Sequence, residues 1–99
     1  MSKFILQISY DIKAEQRESY LKLVEEMKQH FVNGKRKDYT IFEHMGRKDS
    51  FVEQFVCQSK EEFDALEDDL DEQGENLVNR LESMLQSGKS KYTTLAEIA

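Results

Sequence analysis

The sequence predicts an α+β domain in which four antiparallel strands and two helices follow one another in the order β-α-β-β-α-β. Apolar and polar residues alternate in several short segments, which is typical of strands. Two longer segments instead repeat apolar residues every three or four positions, as amphipathic helices do. Glycines mark boundaries between these segments. This is the order of the ferredoxin-like split βαβ arrangement, in which both helices cover one face of the sheet and leave the other face open.

The chain begins with a predicted strand and a predicted helix. Residues 4–12 alternate, and one face of that strand carries Phe4, Leu6, Ile8, Tyr10 and Ile12. Residues 15–31 predict a helix whose apolar stripe consists of Tyr20, Val24, Met27 and Phe31. The pair Asn33-Gly34 is expected to end this helix, because glycine adopts positive φ without a Cβ clash.

A hairpin follows, with strands at residues 39–45 and 51–58 around a glycine-containing turn. Its faces mix apolar and polar side chains, as on the face that carries Phe51, Glu53, Phe55 and Cys57. A strand covered on both sides explains such mixing, whereas an open face should be polar. The natural cover in a one-domain chain is a second copy of the sheet. We therefore expect a homodimer with its sheets face to face, in which Gln7 and Ser9 meet the partner.

The rest of the chain predicts a long helix and a last strand. Ser59 and Glu62 fit the capping box S-x-x-E at the start of a helix over residues 60–86. An unbroken helix of that length would measure about 40 Å. This is long for so small a domain, so we expect a bend or break near Gly74. Residues 92–98 form the final predicted strand.

Composition restricts the class of protein. Ninety-nine residues predict a single domain spanning residues 1–99. The net charge of −6 disfavours binding to nucleic acid or to an anionic membrane. We expect no membrane-spanning segment and no signal peptide, since the short apolar run near the N-terminus alternates with polar residues. The single cysteine fits a reducing compartment, and we expect a cytoplasmic protein.

With these elements in place, the chain resembles the dimeric α+β barrel proteins, most closely those of the antibiotic biosynthesis monooxygenase (ABM) type. The resemblance rests on the start ILQISYDIKAEQRESYLKLVEEM, on the hairpin, and above all on FVEQFVCQSKEEFDAL. The third strand of that family commonly reads F-V-x-x-E-x-W-x-S-x-E-A-F/Y and leads directly into the second helix. The residues that match it are Phe51, Val52, Ser59, Glu61 or Glu62, and Phe63.

The resemblance implies binding or oxidation of a small aromatic or apolar molecule without metal or flavin, the substrate itself activating oxygen. The chain also departs from the family, since the usual strand Glu and Trp fall at Phe55 and Cys57, and no His lies in residues 60–86. In the haem-degrading branch of the family that the chain resembles, the expected site is a triad of Asn, Trp and His. Its positions correspond here to Ile8, Cys57 and a residue near Asn76, none of which matches.

Four residues are the candidates for a site, which we expect between the helices and the sheet: Tyr10, Tyr39, His44 and Glu53. Histidine titrates near neutrality and tyrosine can orient an aromatic ligand. Each also has a structural interpretation, as a residue at the barrel rim for His44 and as a core residue for the tyrosines. Cys57 is interpreted as a small buried residue. His30 follows Glu26 by four positions and is expected to pair with it near the helix end.

No metal site and no cofactor is predicted. Asp69–Gly74 has oxygen ligands at alternate positions, but the twelfth position of a calcium loop would be Arg80 instead of Glu. The sequence leaves two functions open. The chain is either a cofactor-independent monooxygenase acting on a small aromatic or apolar molecule, or a non-catalytic ligand-binding or interaction dimer. Haem binding is a third, weaker alternative.

Overall fold

A computed structural model of the chain describes residues 2–98. Its elements follow the predicted order, with the second helix divided in two. The strands are β1 (Phe4–Asp11), β2 (Asp38–Glu43), β3 (Ser50–Cys57) and β4 (Lys91–Ala96). The helices are α1 (Arg17–Lys28), α2 (Lys60–Asp68) and α3 (Glu72–Glu82), with a 3₁₀ turn (Ala14–Gln16) before α1 and a π-helical turn (Gln29–Gly34) after it.

The strands form one antiparallel sheet in the order β2-β3-β1-β4. Tyr10 lies opposite Phe51 in the β1–β3 pair, and Tyr39 lies opposite Phe55 in the β2–β3 pair. These four aromatic residues are buried on the face against which the helices pack. The predicted ferredoxin-like α+β fold is therefore confirmed.

The core between helices and sheet is built chiefly by α1 and α3. Tyr20, Leu23 and Met27 of α1 are almost fully buried, and Leu77 and Leu81 of α3 are buried beside them. Fully burying one such apolar side chain contributes roughly 1.5–3 kcal/mol. By contrast, α2 has no fully buried residue. This helix therefore contributes less to the core than the other two.

The end of the first helix differs from the prediction. The chain continues through Gly34 in a π-helical turn, and Gly34 does not take positive φ. Backbone hydrogen bonds from Lys35 N to His30 O and from Lys37 N to Phe31 O, 2.9 and 2.8 Å long, satisfy the terminal carbonyls. The left-handed residue is Arg36, with φ of 55°. Because the wider turn supplies these bonds, the chain reverses without a glycine cap.

The hairpin is shorter than predicted, since β2 ends at Glu43 and leaves His44 in the connection. His44 N donates to Ser50 O at 2.8 Å and closes the turn. Two residues in the turn have positive φ, Gly46 at 87° and Asp49 at 64°. Because of these conformations β2 ends at Glu43, two residues before the end that the alternating sequence predicts.

The capping box and the break in the second helix are both observed. Glu62 N donates to Ser59 Oγ at 3.1 Å, and the Glu62 carboxylate accepts from Gln58 N at 2.6 Å. The break follows Asp68, slightly earlier than predicted. A new helix then begins at Asp71, whose Oδ1 accepts from Gly74 N at 2.9 Å.

The face of the sheet away from the helices is not covered by any part of the described chain. Phe42 and Leu95 are 49% and 44% exposed there. At its centre Gln7 Nε2 donates to Gln54 Oε1 at 3.0 Å. Half-buried apolar side chains surround this amide pair, namely Ile5, Val52 and Val56. The open face of the sheet is therefore mixed, with these apolar side chains among polar ones.

Candidate functional site

A cavity of about 720 Å³ lies between the helices and the sheet of the single chain. Small-molecule sites typically have volumes of roughly 300–1,000 Å³. The sheet lines the cavity with apolar side chains, among them Leu6, Ile8 and Phe55, and the helices add Phe63, Leu66, Val78 and Leu81. The structure has a pocket between the helices and the sheet, where the sequence predicts one.

Glu53 is the buried polar residue in this apolar lining. It stands on β3, points to the helix face of the sheet and is only 5% exposed. Tyr39 Oη donates a hydrogen bond of 2.5 Å to Glu53 Oε1. Burial raises the pKa of the Glu53 carboxyl above its ordinary value, and the hydrogen bond from Tyr39 together with the nearby Tyr10 hydroxyl opposes this effect only in part. The environment therefore favours the protonated, uncharged form of Glu53.

Two further tyrosines extend this group behind the cavity wall. The hydroxyls of Tyr10 and Tyr20 lie 2.8 Å apart, and Tyr10 also interacts with Glu53. Burial raises the pKa values of Tyr10, Tyr20 and Tyr39, and the nearby Glu53 carboxyl raises them further. All three stay protonated at neutral pH, so each hydroxyl can donate. We call Tyr10, Tyr20, Tyr39 and Glu53 the buried carboxyl cluster.

This arrangement presents one buried hydrogen-bonding group to a ligand, because the other polar side chains of the cavity lining are exposed or half-buried. A carboxyl group has two oxygens and can accept several hydrogen bonds, and in its protonated form it also donates one. The three tyrosines of the cluster do not line the cavity, and Tyr39 holds Glu53 from behind. Three of the four predicted site residues, Tyr10, Tyr39 and Glu53, thus belong to one cluster.

His44 does not join this cluster. It is exposed in the hairpin connection, where its Nδ1 lies 2.8 Å from the carbonyl oxygen of Met45. It is not part of the cavity lining. Its place agrees with the alternative interpretation of His44 as a polar residue at the rim.

Sequence reasoning missed the charged residues at the cavity mouth. Lys35 and Lys37 line it, and they form ion pairs of 3.1 and 2.6 Å with Asp71 and Asp69 at the break between α2 and α3. These pairs tie the chain before β2 to the two helices. The signal was present as a basic triplet at residues 35–37 and an acidic run at residues 67–72. Each run taken alone is typical of solvated surface, and neither indicates the other as its partner.

The other candidates have structural roles. Cys57 is buried on the helix side of β3, and burial raises the pKa of its thiol. The predicted pairing of His30 with Glu26 is wrong. Glu26 forms a bidentate pair with Arg80 at 2.8 and 2.6 Å. His30 is buried, and its Nε2 lies 3.0 Å from Asp71 Oδ1 without the alignment of a hydrogen bond. His30 belongs to the π-helical turn, beyond the end of α1 at Lys28, and lies beside the start of α3.

The positions of Glu53 and Cys57 remove part of the argument for a dimer. Both lie on the helix side of the sheet and are buried within the one chain. Their presence among apolar neighbours therefore needs no second copy. Support for a dimer comes instead from the apolar residues of the open face.

Within residues 2–98, no group of three or more His, Cys, Asp or Glu side chains is placed to hold a metal ion. Over the same residues, no helix combines the length and the apolar character that a membrane crossing requires.

No family model matches the chain, and no curated protein matches it significantly. Solved structures do match. A conserved protein from Methanosarcina mazei Go1 is 9% identical with a TM-score of 0.80, covering 96% of this chain and 92% of that one. A NIPSNAP family protein from Agrobacterium tumefaciens C58 is 18% identical with a TM-score of 0.73, covering 97% and 86%.

An antibiotic biosynthesis monooxygenase of known structure is 21% identical with a TM-score of 0.64, and the alignment covers 100% of this chain and 98% of that one. At such identities the comparisons establish the fold alone. They agree with the resemblance drawn from the hairpin and FVEQFVCQSKEEFDAL. The chain has the ABM-like fold that is shared by antibiotic biosynthesis monooxygenase and NIPSNAP proteins.

Proposed function

We propose that the chain binds a small aromatic or apolar molecule in the cavity above Glu53 and oxidises it with molecular oxygen, without metal or flavin. The observation that carries the proposal is the position of Glu53, a buried carboxyl at the wall of an apolar cavity of about 720 Å³. A phenol held there could exchange a hydrogen bond with the carboxyl while its ring packs against Phe55 and Phe63.

The oxidation is chemically complete with a phenolic substrate. A phenol and one dioxygen molecule give a quinone and one water, so the substrate supplies all the electrons and no external reductant is needed. Glu53 in its ionised form would accept the phenolic proton. Because burial favours its protonated form, only the ionised fraction is active, and the rate should rise with pH until the carboxyl is fully ionised.

We further propose that two copies pair through the open sheet face. The apolar residues of that face, with Phe42 and Leu95 about half exposed, are of the kind that a second sheet would cover. Native mass spectrometry of the untagged chain should show a dimer at micromolar concentration. A monomer under those conditions would contradict the pairing.

A non-catalytic binding protein is the alternative, and one observation favours it. Among the residues that line the described cavity there is no histidine, so Glu53 is the one buried candidate base in that lining. A protein with this cavity could hold a ligand without converting it.

An oxygen electrode separates the two functions. The wild-type chain is mixed with a panel of naphthols and hydroquinones, and oxygen uptake is followed together with the melting temperature. Uptake that is lost in Glu53→Leu and in the cavity-filling variant Val78→Trp supports oxidation. A raised melting temperature without uptake supports the binding protein. If no phenol causes oxygen uptake or raises the melting temperature, the proposal of a small aromatic ligand is refuted.

A further inference from the structure

We infer that the cavity selects uncharged aromatic ligands and rejects anionic ones, because its mouth is acidic and its inner polar group is a carboxyl. This selection by charge rests on the proposed function, since it requires that the cavity hold a small aromatic molecule. It adds the chemical class of the ligand, which should carry an amide, carbonyl or hydroxyl group and no carboxylate or sulfonate.

The first argument is the charge around the mouth. Four carboxylates and two lysines are among the residues that line the cavity: Asp64, Glu67, Asp69, Glu82, Lys35 and Lys37. Both lysines are already paired with acids of the α2–α3 junction, at 2.6 and 3.1 Å. In the described part of the chain, Glu67 and Glu82 have no such cationic partner within 4.0 Å. The mouth therefore carries an excess of negative charge, which a cleft with apolar walls focuses inward.

The second argument is the cost of burying an anion at the inner end of the cavity, beside Glu53. An anion that reaches Glu53 loses most of its water, and both lysines of the cavity lining are already paired with other acids, Lys35 with Asp71 and Lys37 with Asp69. Burying an unpaired carboxylate is costly. If Glu53 is ionised, the two negative charges also repel each other. An amide or hydroxyl avoids these costs and can hydrogen-bond with the Glu53 carboxyl in either protonation state.

Two naphthalene probes of nearly equal size test the inference directly. The uncharged probe is 2-naphthamide and the anionic probe is 2-naphthoate, and binding of each is measured by fluorescence titration at pH 7.5 and low ionic strength. We expect the amide to bind about tenfold more tightly than the carboxylate, or better. Adding salt should reduce the difference, because the exposed charges at the mouth are screened.

A pair of matched variants separates the mouth from the overall charge. Glu67→Gln/Glu82→Gln removes two unpaired carboxylates of the cavity mouth. Glu61→Gln/Asp68→Asn removes two exposed carboxylates of α2 that do not line the cavity. The net charge changes equally in both. The preference for the amide should shrink several-fold in the first variant and stay unchanged in the second.

The outcomes distinguish the inference from the function on which it rests. Equal binding of both probes by the wild-type chain would overturn selection by charge and leave the cavity as a ligand site. An equal change in both double variants would refute the role of the mouth. Binding of neither probe, together with no binding of the neutral phenols, would refute the proposed function itself.

Discussion

The buried carboxyl of Glu53 should make the free energy of unfolding depend on pH. It should do so in a pH range where the other groups with shifted pKa values do not titrate. The perturbation is Glu53→Gln, which keeps the shape and an acceptor oxygen for Tyr39 Oη but cannot ionise. Burial raises the pKa of Glu53 in the folded protein above its ordinary value of 4.5. The contribution of Glu53 to stability is therefore fully present below pH 4.5 and is lost as the pH rises through the folded-state pKa.

The magnitude follows from proton linkage. Between the unfolded and the folded pKa, the folded chain holds one proton more than the unfolded chain does. The free energy of unfolding then falls by about 1.4 kcal/mol per pH unit. Over the lower part of a range from pH 5 to pH 8, the wild-type chain should lose stability at up to this slope relative to Glu53→Gln.

The range from pH 5 to pH 8 isolates this effect. Carboxylates whose pKa is lowered by a cationic partner, such as Glu43 and Asp69, lose their contribution only below their ordinary values of 4.5 and 3.8. The buried tyrosines and Cys57 have raised pKa values, so their contributions are lost above their ordinary values of 10.0 and 9.0. Histidines are common to both proteins and cancel in the difference.

Urea denaturation of both proteins at closely spaced pH values is the assay. Slopes are compared instead of absolute stabilities, because the amide changes packing by an amount that does not vary with pH. Parallel curves for wild type and Glu53→Gln would refute the reasoning, since they would mean that Glu53 ionises as it does in water. Carbon-13 NMR of the Glu53 carboxyl would confirm the assignment.

Three other predictions concern the open face, an exposed ion pair and the buried hydroxyls. Val52→Glu on the open sheet face should convert a dimer into a monomer in light scattering, while Leu21→Glu on α1 should not; dimers in both variants would place the interface elsewhere. Arg17 pairs with Glu43 at 2.6 Å and holds the pKa of that carboxyl at about 2. The pair therefore stabilises the fold above pH 4.5, and this stabilisation is lost as the pH falls through about 2. Arg17→Gln should return the NMR titration of Glu43 toward 4.5, and an unchanged titration would assign the shift to another cause. Tyr20→Phe removes the hydrogen bond between the buried Tyr10 and Tyr20 hydroxyls, leaves Tyr10 with its interaction with Glu53, and should cost about 0.5–1.5 kcal/mol in urea denaturation. A cost near zero would show that water replaces the bond.

The fold could be predicted from the sequence because its signals are local. Alternation over residues 4–12 identified β1, and the spacing of Ser59 and Glu62 identified the start of α2. The ends of elements were predicted less well. The π-helical turn that includes Gly34 and the left-handed conformation of Arg36 arise where the chain must pass from a helix to an edge strand. Tertiary contacts decide such places, and a residue pattern does not contain them.

The site was predicted in part for a similar reason. Tyr39 and Glu53 could be assigned to strands, but their contact depends on the register of β2 against β3, which the sequence does not give. The i,i+4 rule placed His30 beside Glu26, and it failed because the chain leaves the α-helical geometry at Gln29. The pairing of Lys37 with Asp69 joins residues far apart in the chain, and no local pattern indicates it.

The buried carboxyl cluster is costly in a domain of this size, and that cost supports a role in binding. The helix face of the sheet is otherwise apolar and aromatic, so packing alone would be served by a leucine at Glu53 and a phenylalanine at Tyr39. The hydroxyl of Tyr39 and the interaction of Tyr10 both support the carboxyl, and Tyr20 in turn bonds Tyr10. These bonds offset the desolvation of a group that nothing in the fold requires. What distinguishes Glu53 within the cluster is that it also lines the cavity. A polar group that is expensive to bury, supported from behind and facing a cavity with apolar walls, is what the proposed recognition of a ligand in that cavity requires.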